Sequence, residues 1–116
     1  MGLAKELRSR RNLSAREIEV EAWADSDGQP FALYCYPLTC FDMNEMQKKH
    51  PKFMEGMTLG AMVDLIVLKA CDKSGERIFT SAEDKHDLMG EESAVISDIA
   101  ARMFASVQSV EEHEKN

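Results

Sequence analysis

No stretch of 18 consecutive apolar residues occurs in the chain, which excludes a membrane-spanning helix. The first residues lack the apolar core of a secretory signal, so a reducing cytoplasm is the expected compartment. Cysteine is scarce and odd in number: Cys35, Cys40 and Cys71 are expected to be reduced, buried thiols. Cys35 and Cys40 are separated by YPLT, which is not the CxxC spacing of redox or zinc sites. A Cys₃His set with His50 can be drawn, but it lacks the paired short spacings of a zinc site. No phosphate-binding glycine loop and no GxSxG are present. Asp72, Ser74 and Glu76 around Gly75 faintly suggest a calcium loop, but the acceptors do not continue, and a turn is expected. His50 precedes a proline, His86 sits in a charged segment and His113 lies near the end, so each is expected at the surface. These absences predict a protein that is not an enzyme and has no catalytic residues, no cofactor and no metal.

The 116 residues are enough for one domain burying about two thirds of the surface its unfolded chain exposes. Hydrophobic residues at 44% and charged residues at 30% are usual for a globular chain, which excludes disorder throughout. Charge is unevenly spread. Residues 1–16 carry five basic residues against Glu6 alone, a net +4, so the rest carries −11 of the total −7. A body this acidic repels phosphate backbones and is not expected to bind nucleic acid. The basic arm (1–15) is expected to be either a solvated, frayed terminus or a contact for an acidic surface, such as that of a neighbouring copy.

Within the arm, residues 3–11 are compatible with a short helix, Leu3 and Leu7 standing at an i, i+4 spacing. Residues 16–23 (REIEVEAW) alternate strictly, Ile18, Val20 and Ala22 facing one way and Glu17, Glu19 and Glu21 the other, which predicts a half-buried strand. Asp27-Gly28 marks a turn within 25–30, and the aromatic-rich 31–36 returns as a second strand. The hairpin spans 16–37. Two strands alone are marginal in water, so it must pack on helices or on another chain.

Thr39 is read as an N-cap with Asp42 three positions on, Leu38 and Met43 as a hydrophobic staple, and 40–49 as a helix stopped before Pro51. Thr58 caps a second helix over 59–71, with Leu59, Met62, Val63, Ile66, Val67 and Ala70 on one stripe. Leu65 and Leu68 make it apolar nearly all round, although its LIVL run also suits a strand. Residues 72–77 form a turn. Thr80-Ser81-Ala82-Glu83 is read as a capping box for a helix reaching Met89 and ending at Gly90. A last helix over about 91–109 buries Ile96, Ile99, Ala100, Met103, Val107 and Val110, and 111–116 is read as a disordered acidic tail. The expected fold is α+β: an N-terminal β-hairpin packed with a small bundle of about four helices, one domain over 1–110 with its helical part in 38–110.

Five methionines (Met43, Met46, Met54, Met57 and Met62) fall within twenty residues, with Phe53 among them and Phe41 just before. Such side chains suit adaptable binding surfaces, but apolar residues at helical spacing also simply fill cores. Phe41, Met43, Met46, Phe53, Met54 and Met57 are taken as the partner-binding candidates, with Phe53, Met54 and Met57 expected on an exposed loop.

The run from Leu65 to Met103, LIVLKACDKSGERIFTSAEDKHDLMGEESAVISDIAARM, resembles the tail assembly chaperones of lambda-like, long, non-contractile-tailed phages. The matching features fall on Asp72, Gly75, Phe79, Thr80, Asp84, Leu88 and Gly90, followed by the final amphipathic helix. The basic LRSRRN opening, the glutamate-rich strand ending in Trp23 and the Leu38-Thr39 helix start are similar as well, so the likeness extends over most of 3–108. The resemblance implies a viral or prophage protein of the host cytoplasm, absent from the mature virion. It would bind the tape-measure protein, keep it soluble and help the major tail (tube) protein polymerise around it, possible homo-oligomers included. It also implies a longer product made by ribosomal frameshifting; Glu114-Lys115-Asn116 can be encoded so as to contain A AAA AAC, and other spellings exist. Two other expectations remain open: a structural minor tail or tail-completion protein of the virion, and a small cytoplasmic metal or redox protein using its cysteines.

Overall fold

The structure, a computed structural model, describes residues 2–10 and 14–115, with side chains through residue 105. The architecture is α+β: a two-stranded antiparallel hairpin and a set of helices sharing one core. Helix α1 (Leu3–Ser9) precedes the hairpin and contributes no buried residue. Strands β1 (Arg16–Val20) and β2 (Phe31–Cys35) pair with Arg16 opposite Cys35 and Val20 opposite Phe31. Helices α2 (Cys40–Lys49), α3 (Leu59–Lys69), α4 (Ala82–Met89) and α5 (Ser93–Lys115) follow. Helix α3 is the hub, packing against α2, α4 and α5, while β1 lies on α5.

The alternation read in 16–23 holds only as far as Val20. Ile18 and Val20 are buried, but Glu21–Trp23 forms a single 3-10 turn and Ala22 is exposed. The strand ends there because Trp23 leaves the sheet to stack against Phe31 and Phe79. In the following turn Asp25 accepts from the Asp27 and Gln29 N–H groups, and Gly28 takes φ +81°, the left-handed region that only glycine enters without strain. Leu33, on the same face as Ile18 and opposite it, is fully buried.

Helix α2 starts as read: Thr39 and Asp42 form a reciprocal capping box, and Leu38 and Met43 both pack against the core. Thr58 caps α3 by accepting from the Ala61 N–H. The helix is two residues shorter than the apolar pattern indicated. Ala70 is extended, and Cys71 exchanges two 2.8 Å backbone hydrogen bonds with Tyr34, adding a one-residue bridge to the free side of β2. The buried set of α3 also differs from the stripe read in the sequence: Ala61, Val63, Leu65 and Ile66 are inside, whereas Leu59 is exposed. A helix surrounded by three others has no single inward stripe.

Residues 72–77 form a turn rather than a calcium loop. Asp72 accepts from the Ser74 N–H and hydroxyl and from the Glu76 N–H, and Gly75 takes φ +94°. The α4 capping box sits one residue later than Thr80–Glu83: Ser81 caps, and Asp84 is its reciprocal partner. Asp84 suits this position because its short carboxylate reaches the Thr80 and Ser81 N–H groups. Replacing Ser81 by alanine is expected to cost about 1 kcal/mol in a urea titration. Helix α5 buries Ile96, Ile99, Ala100 and Met103 as its periodicity required. Val107 and Val110 lie beyond the described side chains. The backbone of α5 reaches Lys115 and so takes in most of the stretch read as a polar tail. Arg11, Asn12 and Leu13 of the arm lie outside the described residues, as does Asn116.

Candidate functional site

The hairpin's turn end and the start of α4 together make an aromatic groove of about 390 Å³. Trp23 comes from the 3-10 turn after β1, Phe31 opens β2, Phe79 lies in the segment before α4, and Leu88 closes the floor. The Trp23 ring meets Phe31 edge-on at 6.0 Å between centroids and Phe79 at 6.2 Å, the geometry that ring quadrupoles favour. Three carboxylates, Asp84, Asp87 and Glu91, line the same groove. The Trp23 indole N–H donates to Glu91 Oε2 at 2.8 Å, which fixes the ring's orientation. That bond and the Glu92 N–H hold the Glu91 carboxyl below the usual range. The Thr80 and Ser81 N–H groups do the same for Asp84. The groove is thus aromatic inside and negative at neutral pH.

Of the positions marked by the family resemblance, Trp23, Phe79 and Leu88 line this groove. Thr80 serves it through its backbone bond to Asp84, and Gly90 ends α4 just before Glu91. Asp72 and Gly75 lie elsewhere, in the turn where a Cβ on Gly75 would stand 3.4 Å from the Tyr36 hydroxyl.

A second surface lies around the exit from β2. Tyr36, Pro37, Leu38 and Phe41 line a groove of about 570 Å³ closed by Arg8 and Lys69. Phe41 is 83% exposed. The six partner-binding candidates do not form one face. Phe41 and Met54 are exposed, and Met43 and Met57 are partly buried against the core. Met46 and Phe53 are fully inside, so of the loop residues expected to be exposed only Met54 is, Phe53 being buried and Met57 half-buried. Phe53 is drawn in because its N–H donates to the His50 carbonyl, folding the post-α2 turn so that the ring joins the core.

His50 also departs from expectation. It is half-buried, and its Nε2 stands 2.6 Å from Asp64 Oδ2; Asp64 Oδ1 receives Lys85 Nζ at 2.8 Å. Burial pushes the Asp64 carboxyl up, but hydrogen bonds from Lys85 and His50 outweigh it and hold it below the usual range. Both oxygens are thereby engaged in joining α3 to α4 and to the end of α2. The small cavity beside His50 offers one hydroxyl, that of Thr58, already accepting a cap bond. This cluster reads as an internal polar triad built on the Lys85–Asp64 ion pair.

Cys35 and Cys71 are buried as expected and their thiols donate to the Tyr36 and Tyr34 carbonyls, whereas Cys40, expected inside, is exposed at the first position of α2. Burial pushes the Cys35 thiol up to about 11, so it is a poor nucleophile at neutral pH. Among the described residues, no three of His, Cys, Asp and Glu are placed to share a metal ion, and no helix is long and apolar enough to cross a membrane.

Comparison with protein-family models, curated proteins and solved structures finds no match to this chain.

The aromatic groove was only half visible in the sequence. Trp23 and Phe79 stood out, and Trp23 and Phe31 flank the hairpin turn, a signal for a cross-strand pair. Asp87 and Glu91 gave no signal, because only the path of α4 brings them to the rings.

Proposed function

We propose that this protein is a phage tail assembly chaperone. It binds the tape-measure protein in the host cytoplasm and keeps it soluble while tail-tube subunits polymerise around it. The reading takes its client from the family resemblance. The observation that best supports a polypeptide-binding role is the Tyr36–Phe41 surface, where an aromatic side chain 83% exposed stands beside an apolar groove. An unassembled tape-measure protein is long and displays apolar helical surface, and such a groove takes apolar anchors of a helix. The acidic body keeps the complex soluble. Many copies along one client add their weak contacts through avidity.

Co-expression with the tape-measure protein of the same phage tests the reading. The client is expected in the soluble fraction and to co-purify with this chain. Phe41→Ala, at a position where folding places little demand, is expected to lower recovery of the complex at least about tenfold, the effect of losing one aromatic anchor. A client that stays insoluble with no complex formed overturns the proposal. So does finding this chain in purified virions, which a structural tail protein would require.

A further inference from the structure

Among the described residues nothing fills the aromatic groove and helix α1 buries no residue, and their chemistries are complementary. On α1, Leu3, Leu7 and Arg10 follow an i, i+4, i+7 spacing and so share one face. Leu3 is 67% and Leu7 47% exposed, and Arg10 is an exposed cation whose ion pair with Glu6 is itself at the surface. Arg8 lies off this stripe and lines the chain's own Tyr36–Phe41 groove. Helix α1 therefore leaves its two leucines largely exposed to water.

The groove offers what this stripe lacks. Trp23, Phe31 and Phe79 present ring faces and edges, and Asp84, Asp87 and Glu91 supply negative charge around them. Apolar side chains pack on such rings, and a guanidinium gains both from the ring quadrupole and from the carboxylates. The remaining cations of the arm, Lys5, Arg8 and Arg11, add long-range attraction to the acidic body.

The hairpin register keeps the two apart within one molecule. The arm enters β1 at Arg16, the end paired with Cys35, whereas Trp23 and Phe31 stand at the opposite end, where Val20 pairs with Phe31. The four steps from Arg16 to Val20 separate these ends by about 13 Å, and Arg8 of α1 lines the groove that follows Cys35.

The geometry points to a contact between copies: the Leu3–Leu7–Arg10 stripe of one molecule docks in the Trp23–Phe31–Phe79 groove of the next. The contact is head-to-tail, since donor and acceptor surfaces differ and lie at opposite ends of the hairpin. Such a contact leaves one arm and one groove open on every dimer, so it propagates into a ring or an open chain. It also leaves the Tyr36–Phe41 surface of each copy uncovered. The inference goes beyond the proposed function and does not depend on the client.

Trp23 is the single tryptophan of the chain and sits in the groove, so its emission reports occupancy directly. The experiment follows sedimentation and Trp23 emission of the full chain over a concentration series, at low and high salt. Mass and emission are expected to change together with concentration, and raised salt is expected to reverse both. Asp87→Arg in the groove and Arg10→Glu on the arm are each expected to weaken association about tenfold or more. Mixing these two variants is expected to restore it, because the reversed arm then meets a reversed groove. Leu7→Ser tests the apolar contact separately and is expected to weaken association without changing the fold, since Leu7 makes no core contact. A chain that remains monomeric throughout overturns the inference. Association that survives both reversals, mass that rises while Trp23 emission stays constant, or failure of the mixed variants to recover overturns it as well. An emission change that appears only when the tape-measure protein is added assigns the groove to the client and overturns it too. Failure of this contact leaves the co-expression result untouched, so the two readings stand or fall separately.

Discussion

Replacing Asp64 by alanine is expected to destabilise the protein by about 2–3 kcal/mol, read as a lowered urea midpoint with unchanged slope. Asp64 is a buried carboxylate on a helix otherwise apolar on most sides, and both oxygens carry a charge-assisted bond. Removing it leaves both His50 and Lys85 without their shared acceptor at the edge of the core. Breaking a buried ion pair commonly costs about 3–5 kcal/mol. The cost here falls below that range because Lys85, 47% exposed, can turn its ammonium to water, whereas His50, 25% exposed, has less freedom. Lys85→Met, which leaves the His50 contact in place, is expected to cost less than Asp64→Ala.

The same carboxylate gives a pH signature. Its folded pKa lies below the unfolded value of about 3.9, so its stabilisation is fully present above that value. It is lost as pH falls through the folded pKa, with the decline setting in below about pH 5. Asp42 contributes in the same direction: burial pushes its carboxyl up, but Lys69 at 2.9 Å and Thr39 outweigh burial. The urea midpoint of the wild-type chain is therefore expected to drop as the medium is acidified below pH 5, and the drop is expected to be shallower in Asp64→Ala. An equal acid slope in the two proteins would show that the triad is not intact in solution.

Leu33→Ala is expected to cost about 3 kcal/mol, within the range of about 2–5 for emptying a fully buried leucine site. Leu33 has no exposure, lies opposite Ile18 on the inward face of the hairpin and belongs to the core shared with the helices. The effect measures how firmly the hairpin is docked, since an isolated two-stranded sheet would barely register the change. Phe31→Ala, on the same parity but at the turn end of the strand and 41% exposed, is expected to cost clearly less in the same titration. Equal costs at the two positions would contradict the docked hairpin.

Local chemistry made much of this fold legible. Thr39 and Thr58 cap helices where a hydroxyl precedes an apolar run, because the bond each accepts lies within three residues. Gly28 and Gly75 mark turns because those turns need a left-handed residue. Ile96, Ile99, Ala100 and Met103 declare the inner face of α5 because a helix with one covered side shows its period. Where neighbours intervene, the pattern misleads. The α3 stripe placed Leu59 inside because three surrounding helices erase the periodic signal. Ala70 and Cys71 left the helix because Tyr34, nearly forty residues away, offered backbone partners. The Ser81 cap lies one residue from where Thr80 suggested it, since Ser81 and Thr80 differ little as caps and Asp84 decides between them.

The binding surfaces divide the same way. Phe41 was recognisable as a candidate, yet its neighbours Met46 and Phe53 turn inward, a matter of which way α2 and the following turn face the core. His50 gave no sign of its partner, because Asp64 reaches it only across the packing of α3 against α2. Alone, the order of residues determined the caps, the turns, the amphipathic last helix, the basic arm and the acidic body, all of which depend on spacing within a few residues or on charge summed along the chain. Only the tertiary structure decided that Trp23, Phe31, Phe79 and three carboxylates share one groove, and that Asp64 meets Lys85 and His50 inside the core. Rings and charges far apart in the chain meet where helices and hairpin pack, and their energies depend on distance and burial that no local pattern encodes.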